Sequence, residues 1–242
     1  MKLLTVENAK TIKGESLGYL TGILYLAPAS ESGVMNVCPM ATAGCMADCL
    51  YTAGRGVFQQ IKDARIKKTL WLHADRAGFL AQLRKDITAL VRKAQRDGLT
   101  PAVRVNGTSD LPQIAMAMAA EFPTVQFYDY TKIKSPWKRA SANYHLTFSL
   151  SESNFDDAMD ALAHHTNVAV VFNTKKGSDL PTSWNGYAVI DGDQHDLRFL
   201  DINSGSLIVG LRAKGKARKS VTGFVQIASL TGEQIATALE GM

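Results

Sequence analysis

All three cysteines of the 242-residue chain fall in one short stretch, Cys38-Pro-Met-Ala-Thr-Ala-Gly-Cys45-Met-Ala-Asp-Cys49. An odd number of thiols leaves one over in any disulfide scheme, so shared ligation of a thiophilic centre is the economical chemistry. Pro39, Thr42, Gly44 and Asp48 between them describe a turning loop rather than one buried face. The spacing predicts a [4Fe–4S] cluster held by Cys38, Cys45 and Cys49 with one iron open. Zinc is the alternative, with His73 or Asp48 as a fourth ligand. The Cys-x6-Cys-x3-Cys pattern lacks both the paired knuckles of structural zinc sites and the ferredoxin run. Inert cysteines acting as small core hydrophobes are the plain alternative.

Other polar residues recur just after apolar, β-branched runs. Arg104 and Asn106 lie two apart and share a face if their strand stays regular, so together with Ser109 they are candidates for holding a bound cofactor. Ser109-Asp110 and Ser153-Asn154 also read as helix N-caps. Asp129, Lys132 and Asp191 are the candidate catalytic groups, able to orient a polar substrate or move a proton, with local ion pairing as the alternative. Asp191-Gly-Asp193 reads equally as a hairpin turn, and Lys175-Lys176 as a solvated one.

Arg212-Ala-Lys214-Gly-Lys216-Ala-Arg218-Lys219 is the one concentrated basic patch. Arg212, Lys214, Lys216, Arg218 and Lys219 are expected to contact nucleic acid or a nucleotide, or else to form a solvated turn. The whole chain carries 27 Lys and Arg against 22 Asp and Glu, a balance that permits an anionic partner without requiring one. A protein partner is the other possibility.

The elements that position these groups follow from periodicity. Residues 57–72 and 74–92 carry apolar residues at helical spacing, Phe79, Leu80, Leu83, Ile87, Leu90 and Val91 forming the clearer stripe. Strands are expected at 22–27, 102–105, 124–128, 144–148, 167–172, 186–190 and 206–211. Helical segments are expected at 111–121, 136–142, 155–165 and 232–239. Alternation of strand and helix favours a mostly parallel sheet. A single α/β domain over 1–242 fits best, a partial (β/α) barrel of about six to seven strands with its cysteine loop at 38–49. A doubly wound sheet is the rival. In a barrel the polar groups after the strands converge at the C-terminal rim.

The composition is 46% hydrophobic and 20% charged, that of a globular protein. No apolar stretch is long enough to span a membrane and no signal-peptide core follows Met1, so the expected location is cytoplasmic. There is no His-Glu-x-x-His pair, serine elbow or phosphate-binding glycine loop, which argues against a recognised hydrolase.

Cys38-Pro39, Cys45, Cys49-Leu50, Gly54-Arg55, Asn106-Gly107-Thr108-Ser109-Asp110 and Asp129-Tyr130-Thr131-Lys132 together resemble a family of phage and plasmid proteins known as gene product 88. The resemblance covers most of the chain and implies no particular chemistry. The cysteines after the first strand are also similar to those of the radical S-adenosylmethionine (SAM) superfamily. That resemblance implies a partial barrel of the radical-SAM type, a three-cysteine [4Fe–4S] cluster and SAM on its open iron. SAM contacts would fall on Arg104, Asn106 and Ser109, and the substrate would be a nucleotide, nucleic acid or peptide. The alternative is a cluster-bearing protein that binds nucleic acid or a partner without cleaving SAM.

Overall fold

The computed structural model describes residues 1–7, 9–201 and 206–228. The helix expected at 232–239 lies outside the described residues. Six helices and nine strands are described, with several short 3-10 turns. The strands are β1 (Leu4–Thr5), β2 (Tyr19–Leu24), β3 (Thr100–Arg104), β4 (Gln126–Thr131), β5 (Tyr144–Ser149), β6 (Val168–Phe172), β7 (Ser183–Trp184), β8 (Tyr187–Asp191) and β9 (Ile208–Arg212). They form a sheet in the order β1-β2-β3-β4-β5-β6-β9-β8-β7.

From β2 to β8 every neighbouring pair is parallel, and only the edge strands β1 and β7 run antiparallel. β9 enters between β6 and β8, so the last two parallel strands are out of sequence order. What is shown of the expected partial barrel is the coarser statement, a mixed α/β fold whose sheet of nine described strands is not closed, with β1 and β7 at its two ends. Parallel pairing still brings the C-terminal ends of seven strands to one edge.

The helices are α1 (Ala9–Glu15), α2 (Ala43–Ala47), α3 (Gln59–Ala74), α4 (Arg76–Asp97), α5 (Pro112–Glu121) and α6 (Phe155–Ala163). The long helix α4 follows its sequence closely. Asp75 caps it by accepting from the Gly78 N–H at 2.8 Å, and Gly98 ends it in the left-handed conformation that glycine adopts without strain (φ 67°). Phe79, Leu83, Ile87 and Leu90 are buried together with Leu20, Leu24, Val103 and Phe127. Burial of each such side chain stabilises the fold by roughly 1.5–3 kcal/mol.

Strand alternation divides β3–β5 between two faces. Val103, Phe127, Leu146 and Phe148 pack towards the helices. Arg104, Tyr128, Tyr130, His145 and Thr147 take the other face, where the segment around residues 196–201 crosses. Phe199 meets the Tyr19 and Tyr128 rings edge-on at 5.0 and 5.4 Å, and the neighbouring Arg198 is completely buried.

Candidate functional site

At the C-terminal edge of the sheet, Asp129 is the anchor. The Asn106 backbone N–H and Nδ2 donate to its two carboxylate oxygens at 2.7 and 2.9 Å, and the Tyr144 hydroxyl donates at 3.0 Å. Asn106 Oδ1 accepts from Ser109 Oγ and the Leu111 N–H, both at 2.9 Å, so one asparagine ties the loop after β3 to β4. Burial raises the Asp129 pKa to about 7, outweighing the lowering effects of Arg104 and of the three donors. Gly107 is required here by close approach, since a Cβ would stand 2.7 Å from the Leu24 carbonyl oxygen.

Lys132 lies three residues on, past the end of β4. Its backbone N–H donates to Asp110 Oδ2 at 2.7 Å, while Nζ donates to Ser149 Oγ at 3.0 Å and lies 5.5 Å from the Phe224 ring. Glu152 accepts from the Gly44 N–H at 2.7 Å. The loops after β2, β3, β4 and β5 thus meet at this edge, as the polar residues after the strands suggested.

The cysteine loop meets the same edge without building a metal centre. Cys38 Sγ accepts from the Ala29 N–H at 3.3 Å and donates to the Thr108 carbonyl at 3.8 Å. Burial pushes its thiol up to about 11, and burial likewise raises the Cys49 thiol. Cys45 lies on the short helix α2, its N–H accepted by Thr42 Oγ1 at 3.2 Å. Among the described residues, no group of three or more His, Cys, Asp or Glu side chains is arranged to hold a metal ion. The expected [4Fe–4S] cluster is therefore corrected, and zinc with it. Cys38, Cys45 and Cys49 are placed as free thiols.

Several polar atoms of Arg104, Asn106 and Ser109, the residues expected to hold SAM, have partners within the chain. Arg104 Nη1 donates to both Asp196 oxygens at 3.1 and 2.8 Å, and its guanidinium lies 4.7 Å from the Tyr130 ring. Burial disfavours the Arg104 charge, but Asp196, Tyr130, Tyr128 and Asp129 outweigh it and raise the pKa. The regular strand stops at Arg104, so the alternation that would have set Asn106 beside it ends too early, and Asn106 turns to Asp129 and Ser109. Radical SAM chemistry and its cofactor have no support in this arrangement.

Asp129, Lys132 and Asp191 do not share one hydrogen-bond network. Asp129 is enclosed by its three donors and Lys132 reaches to β5. Asp191, on β8, is 2.9 Å from Arg212 Nη1. Asp193 binds Arg212 at 3.2 Å and Lys214 at 2.6 Å, so two of the five basic-patch cations are held by carboxylates. Lys216, Arg218 and Lys219 remain exposed on a 3-10 turn, Gly215–Lys219. This turn abuts the loop that follows Cys49: a Cβ on Gly215 would lie 3.0 Å from Ala53 Cβ and 3.1 Å from the Thr52 carbonyl oxygen. The same loop region exposes Met46, Leu50, Val57 and Phe58.

Arg65 of α3 was missed by sequence reasoning. It stands four residues before buried Thr69 and seven before buried Leu72, on the helix face that turns inward, and a charge in that row was the available signal. A shallow depression of about 360 Å3 lined by Arg84, Lys85, Thr88, Ala89 and Arg92 lies on α4, away from the strand ends. Arg84 is already paired there with Glu121 at 2.5 Å. Among the described residues, no helix is long and apolar enough to cross a membrane.

Residues 2–226 match the family model described as gene product 88, and the chain belongs to that family. No curated protein and no solved structure matches it.

Proposed function

We propose that this member of the gene product 88 family binds single-stranded nucleic acid along the C-terminal edge of its sheet, with Lys216, Arg218 and Lys219 as the phosphate contacts. The observation that carries the reading is the seating of the Gly215–Lys219 turn against Thr52 and Ala53, which sets three exposed cations beside a loop with exposed Met46, Leu50, Val57 and Phe58. Cations follow a phosphate backbone, whereas apolar and aromatic side chains accept the faces of unpaired bases, which a duplex keeps stacked. Arg212 and Lys214 support the turn through Asp191 and Asp193 rather than meeting the ligand first.

Fluorescence anisotropy with a labelled single strand, over a series of salt concentrations, tests the reading. Affinity is expected to fall as salt rises. Lys216→Ala with Arg218→Ala should weaken binding and reduce the log–log salt slope by about 1.4, at roughly 0.7 per phosphate contact. Stronger binding of a duplex than of a single strand would reject the base-stacking component. No detectable binding of either by folded protein at low salt would reject the function.

A further inference from the structure

Lys132 is a cation at the C-terminal edge with donors to spare. Its Nζ donates to Ser149 Oγ at 3.0 Å, and among the described residues no ion pair holds it. Asp110 and Glu152, in the adjoining loops, accept instead from the backbone N–H groups of Lys132 and Gly44, at 2.7 Å each. An ammonium carries three donors, so the others remain for a ligand, and the Ser149 hydroxyl has its own proton to give. Lys132 and Ser149 are only half-buried, so solvent reaches both.

An aromatic ring stands beside the same ammonium, on a strap whose backbone is pinned at both ends. The centre of the half-buried Phe224 ring is 5.5 Å from Lys132 Nζ. Before it, Ser220 Oγ and Thr222 Oγ1 both donate to the buried Asp48 carboxylate, and Thr222 Oγ1 accepts from the Phe224 N–H at 3.2 Å. After it, the Gln226 N–H donates to the Val171 carbonyl at 2.8 Å, and the Gln226 carbonyl accepts from the Asn173 N–H at 3.0 Å. Val221 and Ile227 project from this strap with 98% and 78% of their surface exposed. Apolar surface on a backbone already fixed costs little further ordering when a ligand covers it. The strap continues the Gly215–Lys219 turn without a break, and the chain from Lys219 to Phe224 spans at most about 18 Å. At roughly 3.4 Å per nucleotide of a stacked strand, that is the reach of about five nucleotides.

We propose that Phe224 and Lys132 form a second subsite on the single-strand path, the ring stacking one base while the ammonium, with the Ser149 hydroxyl, holds the neighbouring phosphate. The inference rests on the nucleic-acid reading and gives the strand a route, from the cations of the turn along the strap to the end of β4. A base and its phosphate are joined through one sugar, so a ring and a cation a few ångströms apart match a single nucleotide. Stacking of this kind tolerates any base, since every base has a face to offer.

Anisotropy titrations of the full chain with a labelled oligothymidylate of about twelve nucleotides test the subsite. Phe224→Ala should weaken binding about five- to hundredfold, the range for loss of one stacked base, and leave the salt slope unchanged. Lys132→Gln should weaken binding and lower the log–log salt slope by about 0.7, the share of one phosphate. A rim that merely supported the fold would not divide affinity from slope between these two residues. If either variant does not fold, photo-crosslinking of a 4-thiothymidine strand to the wild-type chain decides, with the crosslink expected in the peptide that carries Phe224. Undiminished binding by folded Phe224→Ala, an unchanged slope in folded Lys132→Gln, or crosslinks confined to other peptides would each overturn the subsite. Binding that falls with Lys216→Ala and Arg218→Ala but not with these two variants would leave the proposed function standing without it. Binding that falls only with Phe224→Ala and Lys132→Gln would support the subsite and remove the phosphate contacts assigned to the turn. No binding of any strand by the folded wild type at low salt would remove both.

Discussion

Cys38 illustrates how the surroundings of a residue overrule its sequence neighbours. Three closely spaced cysteines suggest thiolate chemistry, but a thiolate needs solvation or a cation, and Cys38 is instead half-buried, its sulfur between a backbone donor and a backbone acceptor. With its pKa near 11, very little thiolate forms at pH 8. Iodoacetamide should therefore alkylate Cys38 in the folded protein more than about a hundredfold more slowly than in the urea-unfolded chain. Mass spectrometry of timed aliquots measures the ratio. Comparable rates in the two states would contradict this environment.

At the scale of elements, the edge strand β1, paired on one side with β2, is tied to helix α4 by a buried carboxylate. Asp86 Oδ2 accepts from the Leu3 and Leu4 N–H groups at 2.5 and 3.1 Å, and Oδ1 accepts from Gln82 Nε2 at 2.7 Å. Asp86→Ala should cost about 1–3 kcal/mol, because both strand donors lose a buried acceptor. Urea unfolding gives the loss, and amide exchange at Leu3 and Leu4 locates it. A loss below about 0.5 kcal/mol, or unchanged protection of those two amides, would show that another group supports the strand.

The whole molecule responds to pH through groups that burial has shifted in opposite directions. Asp129 is raised from an ordinary 3.8 to about 7 and Asp201 to about 6, whereas burial and Arg198 lower His145 from 6.5 to about 4. A carboxyl with a raised folded pKa contributes stability that is full below its unfolded value and is lost as pH rises through the folded one. The lowered His145 acts in the opposite sense, its contribution being present above 6.5 and lost as pH falls towards 4. The two slopes oppose each other between those limits, so the wild-type curve alone does not isolate Asp129. The stability of wild type relative to Asp129→Asn does, and it should be greater at pH 5 than at pH 8. Urea midpoints of both proteins at the two pH values provide the comparison, and a gap that is constant or larger at pH 8 would refute the raised pKa.

Local and periodic features were legible in the sequence. The apolar stripe of α4 predicts a helix over 74–92, because 3.6-residue spacing is a property of the segment itself, whereas the observed helix runs five residues further, to Asp97. The alternation of strands and helices likewise indicated a largely parallel sheet with polar residues gathered at its C-terminal edge. Partner choice belonged to the tertiary structure. Only the fold could bring Asp196 to Arg104, Asp193 to Arg212 and Lys214, or Thr108 to Cys38, because these pairs are joined by backbone paths that no local spacing encodes. The insertion of β9 between β6 and β8 is of the same kind: strand pairing is settled by which apolar faces pack together across the whole sheet, not by order along the chain. For that reason the cysteine spacing could suggest a metal loop while the folded chain packed one of its thiols against the core. The Arg65 guanidinium became a feature only once Tyr25 and Tyr51 closed around it.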